Sequence, residues 1–118
     1  MPGTRLNGVL DGVEFNGRSA ELAPASNDAL NLVANQLERF RSAKIAIMAH
    51  TDDQGSADEN QNLSLKQAQA IKDYLVTRGI AADRLTPHGY GDSLPVAQNL
   101  TEKDRELNSR VELRVVAR

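Results

Sequence analysis

The chain has 118 residues, a length that allows one domain. Its formal net charge is −2 at neutral pH and its sequence pI is near 5.6, so it provides no basic field for nucleic acid. It contains no Trp, two Phe and two Tyr, so a surface that stacks bases is also excluded. The absence of cysteine excludes disulfides and thiolate zinc sites and is compatible with any cellular compartment.

The first half of the chain predicts a strand, a helix and a second strand. Residues 8–15 place apolar side chains between glycines and are followed by a turn at Asn16-Gly17, which predicts a short first strand. Helix-start residues and an apolar face at 3.6-residue spacing predict a helix from about 27 to 40. Residues 44–49 are almost continuously apolar, which predicts a central strand covered on both faces.

The second half predicts a long helix, two strands and a short helical turn. The helix covers about 60 to 78 and ends at a cationic last turn followed by Gly79. The remaining elements are a strand at 85–90, a loop at 91–99, a helical turn at 101–107 and a last strand at 110–117.

This order indicates an α/β (α+β) fold. The expected architecture is a two-layer sandwich of the form β-α-β-α-β-β, with two helices packed on one face of a mixed four-stranded sheet. We expect residues 1–12 to form an N-terminal tail or linker and residues 13–118 to form the domain.

A polar turn at residues 50–55 joins the central strand to the long helix, and such turns are common ligand sites in folds of this kind. Asp52 lies at the predicted strand end, where its carboxylate can hold an ammonium group or cap the turn. Gln67 lies on the apolar face of the helix, between Leu63 and Ile71. Its amide either bonds within the fold or reaches a ligand in the turn, and the residue type alone favours the first alternative.

Many ordered residues match one known family. They are His50-Thr51-Asp52, Gly55-Ser56, Asn60, Leu63-Ser64, Ala68, Tyr74-Leu75, Gly79-Ile80, Gly89-Tyr90-Gly91, Pro95, Asn99, Thr101, Arg105, Asn108 and Arg110-Val111-Glu112, with Phe15 and Ser19-Ala20-Glu21-Leu22 near the start. The chain therefore resembles the OmpA-like C-terminal domain, the peptidoglycan-associating module of outer-membrane porins, the lipoprotein Pal and the motor protein MotB. The resemblance covers nearly all of residues 13–116.

The resemblance implies a noncatalytic module that binds the peptide stem of peptidoglycan at its diaminopimelate. By correspondence with the family, Asp52 takes the ammonium group and an arginine of the following helix takes the carboxylate. The expected peptidoglycan-binding residues are Asp52, Asn60, Leu63, Gln67, Thr51 and Arg110. No metal and no cofactor is expected.

The chain departs from the family pattern at Gln67, which replaces the ligand arginine, at Ser109, and more mildly at Ala49. Loss of a charged partner typically costs about 2–5 kcal/mol, which weakens binding by more than about tenfold. Lys66 lies about 100° round the helix and compensates only by snorkelling across. We therefore expect Gln67→Arg to strengthen binding and Asp52→Ala to abolish it.

Two other functions remain open. The changes at Gln67 and Ser109 motivate the alternative of an OmpA-like scaffold that has lost wall binding and acts in protein interaction or oligomerisation, for example as a homodimer. An enzyme acting on peptidoglycan is less favoured, because no nucleophile, metal triad or carboxylate pair has recognisable spacing. The acidic residues at 52–59 do not match a calcium loop, and His50 and His88 are expected to be structural.

The resemblance also implies a location. We expect a periplasmic domain of a cell-envelope protein associated with the outer membrane. No run approaches the roughly 18 apolar residues of a membrane span, and residues 1–5 lack the apolar core of a signal peptide. Contact with a membrane is therefore expected only through other parts of a longer protein.

Overall fold

A computed structural model describes residues 6–117 of the chain. In chain order the elements are β1 (Gly8–Val9), α1 (Ser26–Arg39), β2 (Lys44–His50), α2 (Ala57–Thr77), a 3-10 turn (Ala82–Arg84), β3 (Leu85–Gly89), α3 (Glu102–Asn108) and β4 (Arg110–Ala117). No helix within these residues has the length and apolar character to cross a bilayer.

The four strands form one mixed sheet in the order β1-β4-β2-β3. β2 runs parallel to β3 and antiparallel to β4, and Ile47 at the centre of the sheet lies opposite Pro87 on one side and Leu113 on the other. From Ile45 to His50 every residue of β2 is buried, as expected for a strand covered on both faces. The predicted α+β sandwich with a mixed four-stranded sheet is confirmed.

The structure adds a third helix and shortens the first strand. The predicted helical turn at 101–107 forms α3, because the Thr101 hydroxyl accepts a hydrogen bond from the Asp104 N–H and starts a regular helix. The strand predicted for residues 8–15 is limited to Gly8–Val9, which pairs with β4. Gly12 has a φ of +85°, which interrupts the extended chain, and Phe15 then forms only an isolated bridge with Leu22.

The core is aliphatic and lies between the helices and the sheet. α1 contributes Leu30, Val33 and Leu37, all fully buried. These side chains pack in one cluster with residues of α2, the sheet and the adjoining segments, including Ile71, Leu75, Ile45, Ile47 and Leu113. The cluster fixes α2 on the sheet, and therefore fixes the first turn of α2 beside the end of β2.

α2 begins three residues earlier than predicted, at Ala57, because a capping box forms in front of it. The Ser56 hydroxyl accepts a hydrogen bond from the Glu59 N–H, and the Glu59 carboxylate accepts one from the Ser56 N–H, both at 3.1 Å. The same bonds lower the pKa of Glu59. This cap sets the start of the helix directly after the polar turn.

Candidate functional site

An open cleft of about 760 Å³ lies at the end of β2. We call it the β2 cleft; its lining residues are Val13, Glu14, Phe15, Gly17, Arg18, His50, Thr51, Asp52, Leu63, Gln67, Glu102, Glu106, Ser109, Arg110 and Val111. Five of the six residues predicted for the site therefore line one cleft. The sixth, Asn60, is fully buried beside it and donates a hydrogen bond to the Asp52 carbonyl oxygen at 3.3 Å.

Asp52 presents its carboxylate to the β2 cleft and also shapes the turn. Oδ1 accepts a hydrogen bond from the Gln54 N–H at 3.0 Å, and the Asp52 N–H donates to the Ser109 hydroxyl at 3.2 Å. The capping role and the cleft-facing position that the sequence left as alternatives are therefore both present. Ser109, one of the departures from the family pattern, supports the backbone at this point.

Arg18 was not predicted to belong to the site. It lies on the loop between Phe15 and Leu22, and its Nη1 is 3.3 Å from Asp52 Oδ1. Nη2 donates to the Gln54 carbonyl oxygen at 2.9 Å and to the Asn60 side-chain oxygen. The side chain remains 42% exposed, so a cation stands at the mouth of the β2 cleft.

Gln67 makes a contact within the fold. Its Nε2 donates to the Ser19 carbonyl oxygen at 3.0 Å, and the residue is buried. The hydrogen bond joins α2 to the loop that carries Arg18. Lys66 is exposed and is not part of the cleft lining, so it does not take the place of the missing helix arginine.

Arg110 lines the β2 cleft with its charge already engaged. Nε donates to Glu112 Oε1 at 2.7 Å, Nη1 to the Asn108 carbonyl at 3.2 Å and Nη2 to the Leu94 carbonyl at 3.0 Å. Only 9% of its side chain is exposed. The Arg110 guanidinium therefore holds the start of β4 against the preceding segment.

His50 forms part of the inner wall of the β2 cleft. It is buried and its ring stacks on Tyr90, with centroids 5.2 Å apart. Neither ring nitrogen has a hydrogen-bond partner among residues 6–117, and Nε2 lies 3.7 Å from Glu112 Oε1. Burial lowers the pKa of His50, the Arg110 charge lowers it further and Glu112 opposes them, so the imidazole is neutral at neutral pH.

We expect His50 to make stability depend on pH. Its pKa in the folded state is below the value of 6.5 for the unfolded chain. Between these two pKa values the unfolded state therefore binds more protons than the folded state. The contribution of neutral His50 is fully present above pH 6.5 and is lost as the pH falls through the folded pKa. In His50→Phe, which retains an aromatic ring beside Tyr90, this loss should disappear. Chemical denaturation at pH 7.5 and 5.5, values about one unit on either side of the ordinary histidine pKa, tests the prediction; equal losses in both proteins would contradict it.

Comparison with known proteins places this geometry in a family. The OmpA family model matches residues 14–109. The peptidoglycan-binding protein ArfA of Mycobacterium tuberculosis (strain ATCC 25618 / H37Rv) is 39% identical over 109 residues, which are 92% of this chain and 33% of that protein. Outer membrane porin F of Pseudomonas fluorescens is 36% identical over 105 residues, 89% of this chain and 32% of that protein.

Solved structures agree with the sequence comparisons. The cell wall anchor of the T6SS from Pseudomonas aeruginosa superposes with a TM-score of 0.78 at 29% identity, over 88% of this chain and 75% of that chain. The chain spans about a third of the length of ArfA and of porin F. Because the family model covers most of the sequence and the fold agrees with it, the chain belongs to the OmpA family.

Proposed function

We propose that this domain is a noncatalytic peptidoglycan-binding module of a cell-envelope protein, and that it holds the diaminopimelate of the stem peptide in the β2 cleft. The observation that carries the proposal is the Asp52 carboxylate at the mouth of an open cleft, between the end of β2 and the start of α2. Family membership and the name of the relative ArfA support the same ligand class. A periplasmic location is part of the proposal.

The chemistry of the β2 cleft suits the free amino-acid centre of diaminopimelate. Such a group carries an ammonium and a carboxylate, and rigid recognition requires an anion and a cation a few ångströms apart. Asp52 provides the anion. Both of its described carboxylate contacts use Oδ1, so within residues 6–117 the other oxygen is left for an incoming ammonium group. Thr51, Leu63 and Arg110 line the cleft around it. Asn60 supports the turn through its hydrogen bond to the Asp52 carbonyl oxygen.

Titration of the labelled domain with a soluble muropeptide that contains diaminopimelate tests the proposal. We expect saturable NMR shifts at the amides of Asp52, Asn60 and Gln67. Asp52→Asn should weaken binding by at least about tenfold, because it removes the charge that pairs with the ammonium group and changes the shape little. Asp53→Asn, the same charge change at the exposed neighbouring residue, is the matched control and should bind like the wild type.

The stem-peptide preference is measured with a second ligand. A muropeptide with lysine in place of diaminopimelate lacks the side-chain carboxylate and should bind more weakly. No shifts at millimolar diaminopimelate ligand would contradict the proposal and favour the scaffold alternative. Sedimentation of the same sample then shows whether the domain forms a homodimer.

A further inference from the structure

We propose that Arg18 supplies the ligand-binding cation that α2 lacks at Gln67, and that it determines specificity for the carboxylate of the bound amino-acid centre. The proposal rests on the proposed function and deepens it. The cation would reach the ligand from the loop between Phe15 and Leu22, which lines a different side of the β2 cleft from α2.

The position of Arg18 is fixed by three acceptors. Its guanidinium contacts the Asp52 carboxylate, the Gln54 carbonyl oxygen and the Asn60 side-chain oxygen through Nη1 and Nη2. A cation held in this way is ordered before the ligand arrives, which reduces the entropy lost on binding. Its exposed surface lies next to Asp52, so the anion and the cation that a zwitterion requires are adjacent.

Gln67 holds the loop that carries Arg18. Its side-chain amide donates to the Ser19 carbonyl oxygen, one residue after Arg18, at 3.0 Å. The residue at the position of the family's arginine therefore anchors the segment that brings a different arginine to the same cleft. The two features form one arrangement, in which the cation has moved from the helix to the loop.

The other arginine in the lining is less suited to this role. Arg110 is 9% exposed and bonded to Glu112 and two carbonyl oxygens, whereas the Arg18 side chain is 42% exposed. Three glutamates, Glu14, Glu102 and Glu106, also line the cleft. Without the charge of Arg18 the mouth of the cleft would be strongly acidic and would repel a carboxylate.

Arg18 could instead compete with the ligand's ammonium group for Asp52. The geometry favours joint binding for two reasons. The Nη1 to Oδ1 distance is 3.3 Å, longer than the roughly 2.7–2.9 Å of a strong charge-assisted hydrogen bond. Among residues 6–117 only Oδ1 of Asp52 accepts hydrogen bonds, so the carboxylate can accept a second cation through its other oxygen.

The test is calorimetric titration of six proteins with the diaminopimelate muropeptide. They are the wild type, Arg18→Ala, Arg18→Lys, Gln67→Arg, the double variant Arg18→Ala/Gln67→Arg and the control Arg41→Ala. We expect Arg18→Ala to bind at least about tenfold more weakly, and Arg18→Lys to lie between it and the wild type, because lysine keeps the charge without the planar fork. The double variant should recover affinity, and Gln67→Arg should raise affinity by a larger factor in the Arg18→Ala background than in the wild type. Arg41→Ala, at an exposed residue outside the cleft, is the matched control.

The outcomes distinguish failure of this proposal from failure of the proposed function. Wild-type binding with unchanged affinity in Arg18→Ala overturns the role of Arg18 and leaves the peptidoglycan-binding function standing. Tighter binding by Arg18→Ala overturns it in favour of competition with the ammonium group. Absence of wild-type binding overturns both. Arg18→Ala should leave affinity for the lysine-containing muropeptide unchanged, which separates carboxylate recognition from a general loss of the loop.

Discussion

Gly89→Ala is expected to destabilise the domain by about 3 kcal/mol, at the upper end of the range for overpacked cores. Gly89 ends β3, where the strand passes directly against α2. A Cβ at this position would lie 2.4 Å from the Leu65 backbone nitrogen, 2.7 Å from its Cα and 2.7 Å from the Ser64 hydroxyl. Since the first two atoms are helix backbone, no side-chain rotation relieves the clash.

The same change should weaken ligand binding. The Ser64 hydroxyl accepts a hydrogen bond from the Gly91 N–H at 2.9 Å, and the Gly91 carbonyl accepts one from the Thr51 N–H at 2.9 Å. These bonds link α2, the segment after β3 and the turn that carries Asp52. Displacing the helix from β3 therefore disturbs the spacing across the β2 cleft.

Chemical denaturation of Gly89→Ala measures this effect, with Gly79→Ala as the control. Gly79 has a φ of +96° and no atom within 4 Å of an added Cβ, so alanine there costs only backbone strain, about 1–2 kcal/mol. A Gly89→Ala protein no less stable than Gly79→Ala would show that β3 and α2 can move apart with little loss of free energy of unfolding. That result would contradict the close packing.

Local patterns predicted most of the fold. The bounds of β4 agree with the prediction at both ends, because Val111 and Leu113 alternate with exposed or half-buried residues along a single strand. The bounds of α1 agree within one residue, because its apolar face repeats with the period of a helix. Both signals lie within one element. The start of α2 was misplaced although the S-x-x-E pattern of the capping box was present at Ser56 and Glu59.

The site was predicted less completely, because its contacts join distant segments. Asp52 and Gln67 stand on elements whose relative position follows from the family pattern. Arg18 lies 34 residues before Asp52, and Ser19 lies 48 residues before its partner Gln67. The one signal in the sequence was a basic residue in the turn just before the family-like segment 19–22. Neither periodicity nor residue type indicates which way such a loop folds.

Asn108 is the other residue whose replacement should have a large effect. It is fully buried at the end of α3. Its Oδ1 accepts hydrogen bonds from the Val96 N–H at 2.7 Å and the Ala97 N–H at 2.9 Å. Its Nδ2 donates to the Ala97 carbonyl at 3.1 Å and to the Asn99 side-chain oxygen at 2.8 Å. The side-chain amide of Asn108 thus supplies hydrogen-bond partners for the backbone of residues 96–97, which lie outside any helix or strand.

Asn108→Ala should lower the free energy of unfolding by about 3 kcal/mol, because it removes the partners of three backbone groups at roughly 1 kcal/mol or more each. Asn108→Asp, which keeps the acceptor for both N–H groups but buries a carboxylate against the Ala97 carbonyl and the Asn99 side-chain oxygen, should also destabilise the domain. Chemical denaturation measures the total loss of free energy of unfolding, and amide hydrogen exchange shows which segment is destabilised. Faster exchange at Val96 and Ala97 with intact protection across β2 and β4 is expected; unchanged protection at these two amides would contradict the role of Asn108, since its side chain is their hydrogen-bond acceptor.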